Sequence, residues 1–323
     1  RDGIARVLPH YRPGHRHYGY VQGMYAFGLE EAGDYAAAER HGKIAVGENP
    51  GDAWSVHAVA HAFEMTGRGE EGLAFTAALE PDWGQVNNFR YHLHWHRGLY
   101  LLEQNRTAEV LALYDAEVGA DPDSGFYLDM LNCSSMLWRL EMQGVDVGDR
   151  WQALAGVAAK RSGEEELIFV TLHYAMALIA AGRPGQIDAL EAHLEAWAAK
   201  PTTQGAIVAA VGLPLFRAMR LLRVGRAGEA LAALLPLRYA IDPIGGSHAQ
   251  RDVFQMALIT AAEAAGQPRM ARALLAERVA LKPHGCWGWQ RYAAALRSVG
   301  ERAAAEAAET RAADAAAGRL VAA

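Results

Sequence analysis

Residues 52–68 read D-A-W-S-V-H-A-V-A-H-A-F-E-M-T-G-R. From Asp52 to Met65 the stretch is built of Ala, Val, Trp and Phe without Pro or Gly, and it then breaks at Thr66-Gly67-Arg68. That composition predicts a helix ended by a glycine in the left-handed conformation. On such a helix His57, His61 and Glu64 stand at i, i+4 and i+7 and share a face. Two imidazoles, which titrate near neutral pH and ligate metals, then lie beside a carboxylate.

The same break recurs at Ala32-Gly33-Asp34, Gln104-Asn105-Arg106, Gln143-Gly144, Ala181-Gly182-Arg183, Val224-Gly225-Arg226, Ala265-Gly266-Gln267 and Val299-Gly300-Glu301. The spacing, about 34–43 residues, is that of helical-hairpin repeats. Eight hairpins follow, with first helices at residues 15–31, 52–65, 88–102, 125–142, 165–180, 206–222, 248–264 and 287–298. Each is followed by a second amphipathic helix, as at Tyr35 to Arg40 and Gly228 to Leu235. Pro50, Pro81, Pro122, Pro201, Pro243 and Pro283 are placed just after second helices, which proline cannot continue. Residues 303–323 read as an Ala-rich capping helix. The expectation is an all-α protein, one TPR-like repeat domain over 1–323, wound as a superhelical α-solenoid with its first helices lining the concave side.

Bulk properties agree. The length of 323 residues would suggest two domains, a prior that a repeat array overrides. Frequent Ala and few Val-Ile-Thr runs favour helix throughout. A net charge of -6 with no Lys/Arg run excludes the electrostatic footprint of nucleic-acid binding. Cys133 and Cys286 are too few for a disulfide framework, which points to a reducing, cytoplasmic setting. No run of eighteen or more apolar residues stands out, so no membrane partner is expected. The start at Arg1 shows neither Met nor a signal pattern, which suggests that an N-terminal segment is missing.

The chemistry concentrates on the first helices. In Y-H-L-H-W-H (91–96), His92 and His96 repeat the i, i+4 arrangement of His57 and His61 one repeat earlier, so the two pairs can face each other. His94 lies about 160° round the helix and belongs to another surface. Three readings stay open: a divalent metal such as zinc held by His57, His61, His92 and His96; buried histidines hydrogen-bonded between repeats beside Trp54 and Trp95; or a metal-free pocket in which imidazoles act as acids and bases. Further along, Asp129 and Asn132 share a helix face with Arg139 in reach, and His173 sits in an apolar stretch where a core histidine is the commoner outcome. Gly245-Gly246-Ser247 opening a helix, with His248, Arg251 and Asp252 in its first turns, reads as a grip for a carboxylate or phosphate, the alternative being an ordinary Ser N-cap with Arg251 exposed. No nucleophile elbow, P-loop, dinucleotide fingerprint or paired-Cys metal motif occurs.

Several long strings, A-R-V-L-P-H (5–10), Y-G-Y-V-Q-G-M-Y-A-F-G-L-E-E (18–31), D-A-W-S-V-H-A-V-A-H-A-F-E-M (52–65), H-W-H-R-G-L-Y (94–100), C-S-S-M-L-W-R-L (133–140) and G-G-S-H-A-Q-R-D-V-F (245–254), resemble the tetratricopeptide repeat protein 38-like family over nearly the whole chain. The resemblance implies a cytoplasmic superhelical repeat protein, without defining an activity. It carries over His57, His61, Glu64, His92, His96, Asp129, His173, His248, Arg251 and Asp252. His94 departs from the family's aromatic residue, and family members extend upstream of Arg1.

Two functions compete. One is an enzyme in which His57, His61, Glu64, His92 and His96 carry acid-base or metal-assisted chemistry on a small anionic molecule held by Asp129, His173, His248, Arg251 and Asp252. The other is a non-catalytic TPR scaffold for a peptide or protein. Peptide-holding repeats use Lys, Arg and Asn clamps, whereas His, Glu and Asp occupy the polar positions here; groups titrating near neutral pH favour proton transfer and so the enzyme.

Overall fold

The structure, a computed structural model, describes residues 1–319 and is all-α, with no strand among the described residues. A short helix α1 (Asp2–Val7) leads into adjacent pairs: α2 (Tyr18–Glu30) with α3 (Tyr35–Glu48), α4 (Ala53–Thr66) with α5 (Gly69–Trp83), and α6 (Phe89–Glu103) with α7 (Thr107–Leu113). Then come α8 (Tyr127–Met142) with α9 (Arg150–Arg161), α10 (Ile168–Ala180) with α11 (Pro184–Ala198), and α12 (Thr203–Ile207) and α13 (Leu213–Arg223) with α14 (Ala227–Leu234). The last pairs are α15 (His248–Ala264) with α16 (Pro268–Leu281) and α17 (Cys286–Ser298) with α18 (Arg302–Ala316). Of the predicted capping segment, residues 320–323 lie outside the described residues.

All eight predicted breaks adopt positive φ, from 58° at Asn105 to 86° at Gly300, so the hairpin period read from the sequence is the period of the turns. Asn105 is the sole non-glycine among them, and its side chain is held by Gln290, with Nδ2 donating to Oε1 at 2.6 Å. Asp34 and Asp52 cap the next helices, accepting from Ala37 N and Trp54 N.

One proline reading changes, and a proline outside the predicted stops also lies within a helix. Pro81 does not end a helix: α5 runs through it to Trp83, whose fully buried ring anchors the last turn by donating Nε1–H to Thr76 O at 3.1 Å. Pro214 lies inside a continuous helical run from Thr203 to Arg223, where a π-turn over Val208–Gly212 relieves the clash proline makes with the preceding turn. That run is also long and apolar enough to cross a membrane, with mean hydropathy 1.6, contrary to the expectation that no such stretch exists. Half of it is buried inside the protein, where α13 packs on α10 and α11, as a core helix does.

By its packing the chain forms two compact units: one contains Arg1–Leu113, Ala276–Ala294 and the segment from Arg302, the other Tyr114–Leu275 and Ala295–Glu301. In the first unit α4 is buried on almost every side, so it is a central helix rather than an amphipathic surface one. Helices of this unit approach closely at glycines: a Cβ on Gly42 of α3 would stand 2.4 Å from Val59 Cγ2 of α4, and one on Gly72 of α5 would stand 2.5 Å from the Tyr100 ring of α6. In an open array each hairpin touches only its sequence neighbours. Here residues from 276–294 pack on α4 and α6: Lys282 Nζ lies 2.5 Å from Glu64 Oε1, and Arg278 pairs with Glu103. Within this unit, therefore, distant hairpins share a core.

Candidate metal centre

Helices α4 and α6 lie side by side, and i, i+4 spacing turns two histidines of each toward the other helix. The result is a closed cluster of imidazoles, with His57 and His92 3–4% exposed and His61 and His96 fully buried. His57 Nε2 lies 2.8 Å from His61 Nε2 and 3.0 Å from His92 Nε2. The His96 ring stands 4.5 Å from His61, 4.9 Å from His92 and 5.1 Å from His57, centroid to centroid.

Aromatic side chains enclose the cluster. Phe27 of α2 stacks on His57 at 5.6 Å and meets His61 edge-on at 5.4 Å. Trp54 and Phe89 lie 5.1 Å from His57, and Trp95 stacks on His92 at 5.0 Å. In this casing burial, reinforced by the neighbouring His61 and His92, pushes the His57 pKa well below its ordinary value. The imidazole is thereby kept neutral, which is the form that binds metals.

Hydrogen bonding alone does not account for the three converging Nε2 atoms. An imidazole nitrogen has one in-plane lone pair or one in-plane hydrogen, so His57 Nε2 can serve one directed bond, yet it has two nitrogens within 3.0 Å. A cation among them would accept every lone pair at once. Ligand atoms around a tetrahedral zinc at about 2.0–2.1 Å are about 3.3 Å apart, so shifts of a few tenths of an ångström bring the His57–His61 and His57–His92 nitrogen pairs to that spacing. One ligand atom from each of His57, His61, His92 and His96 lies within 4.8 Å of the others, so the cluster can hold a metal.

The carboxylate beside the histidines is Glu30 at the end of α2, fully buried, with Oε2 3.4 Å from His61 Nδ1. A carboxylate behind a ring whose other nitrogen faces the ligand cluster is the usual outer support of a metal-binding histidine. Glu64, expected to join His57 and His61 as a catalytic acid-base group, is instead the buried partner of Lys282. The sequence reading missed Glu30 and Lys282. A signal for Glu30 existed, because Glu30-Glu31 ends an apolar helix, where the macrodipole disfavours acids and a partner is required. His94 faces away as predicted, toward Trp83 and Glu80 of α5.

The remaining predicted residues belong to the second unit. Asp129 is buried and its Oδ2 accepts from Ser124 Oγ at 2.6 Å. Buried Arg139 donates to the Ser135 and Ala249 carbonyls. His173 is a core histidine: its Nδ1–H donates to Phe169 O at 2.8 Å, and burial lowers its pKa to about 4. The anion grip expected at Gly245–Asp252 is turned inward. Ser247 and Gln250 satisfy each other's backbone N–H in a capping box, and Arg251 binds the Gly246 carbonyl and lies 3.3 Å from Asp242 Oδ1. His248 and Asp252 are half-buried on the same helix, α15. No protein-family model matches the chain.

Proposed function

We propose that the protein is a metalloprotein built on TPR-like helical hairpins, in which His57, His61, His92 and His96 hold a divalent transition-metal ion. The approach of two Nε2 atoms to His57 Nε2, which has a single in-plane lone pair or hydrogen to serve them, carries this reading. An all-imidazole set suits zinc and its first-row neighbours, Glu30 supports His61 from behind, and the aromatic casing lowers the local dielectric. Bound there, the ion would supply Lewis-acid chemistry toward a small anionic molecule, the enzymatic form of the reading. A second form, the ion as a staple in a non-catalytic scaffold, is favoured by the near-complete burial of the four rings, since closed sites with four protein ligands are characteristically structural.

The test begins with chelator-stripped protein titrated with Zn²⁺ or Co²⁺, followed by metal analysis. An ion bound at 100 times its Kd should stabilise the fold by about 2.7 kcal/mol, visible as a higher melting temperature. His57→Gln and His92→Gln should each lose most of that gain. Failure of either metal to bind, or binding unchanged in both variants, refutes the metal reading. If the loaded protein turns over no small phosphate or carboxylate ester, the staple form stands.

A further inference from the structure

The His61 ring has one nitrogen in each of two candidate ligand groups. Its Nε2 belongs to the quartet, 2.8 Å from His57 Nε2. Its Nδ1 is buried, makes no hydrogen bond among the described residues and points at Glu30. Glu30, Glu31 and His61 each offer a ligand atom, all within 4.8 Å of one another. The 3.4 Å separation of His61 Nδ1 from Glu30 Oε2 exceeds a good N–H···O bond but matches the edge of a tetrahedral site, about 3.3 Å for metal–ligand bonds near 2.0–2.1 Å.

This second group faces outward. Glu31 is half-buried and lines an open depression together with Phe27, Gly28, Ala32, Arg1 and Asp2. Phe27 is the wall between that depression and the quartet, since the same ring packs on His57 and His61. The closed quartet thus adjoins a solvent-facing carboxylate pair through a single shared histidine.

Resting on the metal reading above, we propose that Glu30, Glu31 and His61 form a second cation position, with His61 bridging two divalent ions as an imidazolate. Two carboxylates and one nitrogen suit a zinc-like ion and leave coordination positions for water or an anion on the depression side. The Nδ1 proton leaves to solvent as the second ion binds, so loading that position releases one proton more than loading the quartet. The inner ion is enclosed, and the outer one meets the small anionic molecule.

The experiment titrates stripped protein with Zn²⁺ and with Cu²⁺, measuring ions per chain, proton release and, for Cu²⁺, the integrated EPR intensity. Wild type should take up two ions, the second with extra proton release, and the bridged copper pair should couple and lose EPR intensity. Glu31→Gln, at a half-buried position that should leave the fold intact, should keep the inner ion and bind the outer one at least about 10-fold more weakly. Glu30→Gln should likewise weaken the outer ion, and because Glu30 also stands behind His61 it should loosen the inner ion as well, so Glu31→Gln is the variant that separates the two positions. One ion in wild type, removed by His92→Gln and unaffected by Glu31→Gln, overturns the second position and leaves the quartet standing. No ion in any form overturns both.

Discussion

Lys282 offers the sharpest test of how the first unit is held together. Its ammonium is 4% exposed and lies 2.5 Å from Glu64 Oε1, itself 3% exposed, and 3.6 Å from Glu103 Oε1. Glu103 also pairs with Arg278, whose guanidinium sits over the Trp287 ring at 4.6 Å. These contacts join residues 218 and 175 positions apart in the sequence. Lys282→Met keeps the length of the side chain and removes its charge, leaving Glu64 buried without its cation. Breaking one side of a buried pair costs about 3–5 kcal/mol, far more than a surface pair, because the remaining charge is desolvated and uncompensated. At about 2–4 °C per kcal/mol for a protein of this size class, the melting temperature should fall by about 10 °C. The double variant Glu64→Leu/Lys282→Met should recover most of the loss, since two apolar groups replace the pair and Glu103 retains Arg278. Urea and thermal unfolding of the wild type, both single variants and the double variant close the cycle. High salt should change the wild-type value little, as the pair is shielded from solvent. A Lys282→Met variant within about 0.5 kcal/mol of wild type, the range of ordinary surface substitutions, would refute the reasoning. So would a double variant whose loss equals the sum of the singles.

Two further outcomes follow from the packing. His173 stays neutral in the folded protein down to about pH 4, while in the unfolded chain it takes up a proton near 6.5; the folded state is therefore disfavoured as pH falls through that window, by up to about 3 kcal/mol at its lower end. His173→Gln, which keeps a donor for Phe169 O, should remove that share of acid sensitivity in urea unfolding at pH 7, 5 and 4; an unchanged pH slope would contradict it. Gly72→Ala should destabilise by about 1–3 kcal/mol, because the new Cβ meets a Tyr100 ring pinned by its hydroxyl's 2.8 Å bond to Ala60 O, and a Gly72→Ala/Tyr100→Leu pair should regain part of the loss in thermal unfolding.

The hairpins were legible because they depend on local chemistry. A left-handed residue after each first helix admits Gly or Asn and little else, so the turn signature at Gly33, Gly67, Asn105 and Gly144 and their later counterparts carries the repeat in plain view. The packing of residues 276–294 on α4 and α6 left no such mark. Lys282 and Arg278 look like ordinary surface cations in a helical sequence, and only their partners, Glu64 and Glu103, more than a hundred residues earlier, make them buried. Pro81 misled for a related reason: proline is a local stop signal, but the buried Trp83 beyond it outweighs one missing hydrogen bond.

The site divides along the same line. His57 and His61, and His92 and His96, could be paired from spacing alone, since i, i+4 puts them on one face and consecutive hairpins bring those faces together. Which acid attends them could not be settled that way. Glu64 shares the helix and stands one turn beyond His61, whereas Glu30 arrives from the preceding hairpin at the end of α2. The i+3 step from His61 points Glu64 toward the Lys282 side, and the quartet's supporting charge has to come from a neighbour. The useful sequence signal is therefore an acid placed where its own helix disfavours it. Glu30 and Glu31, at the negative end of the α2 dipole, meet that criterion and lie beside the shared ring of His61.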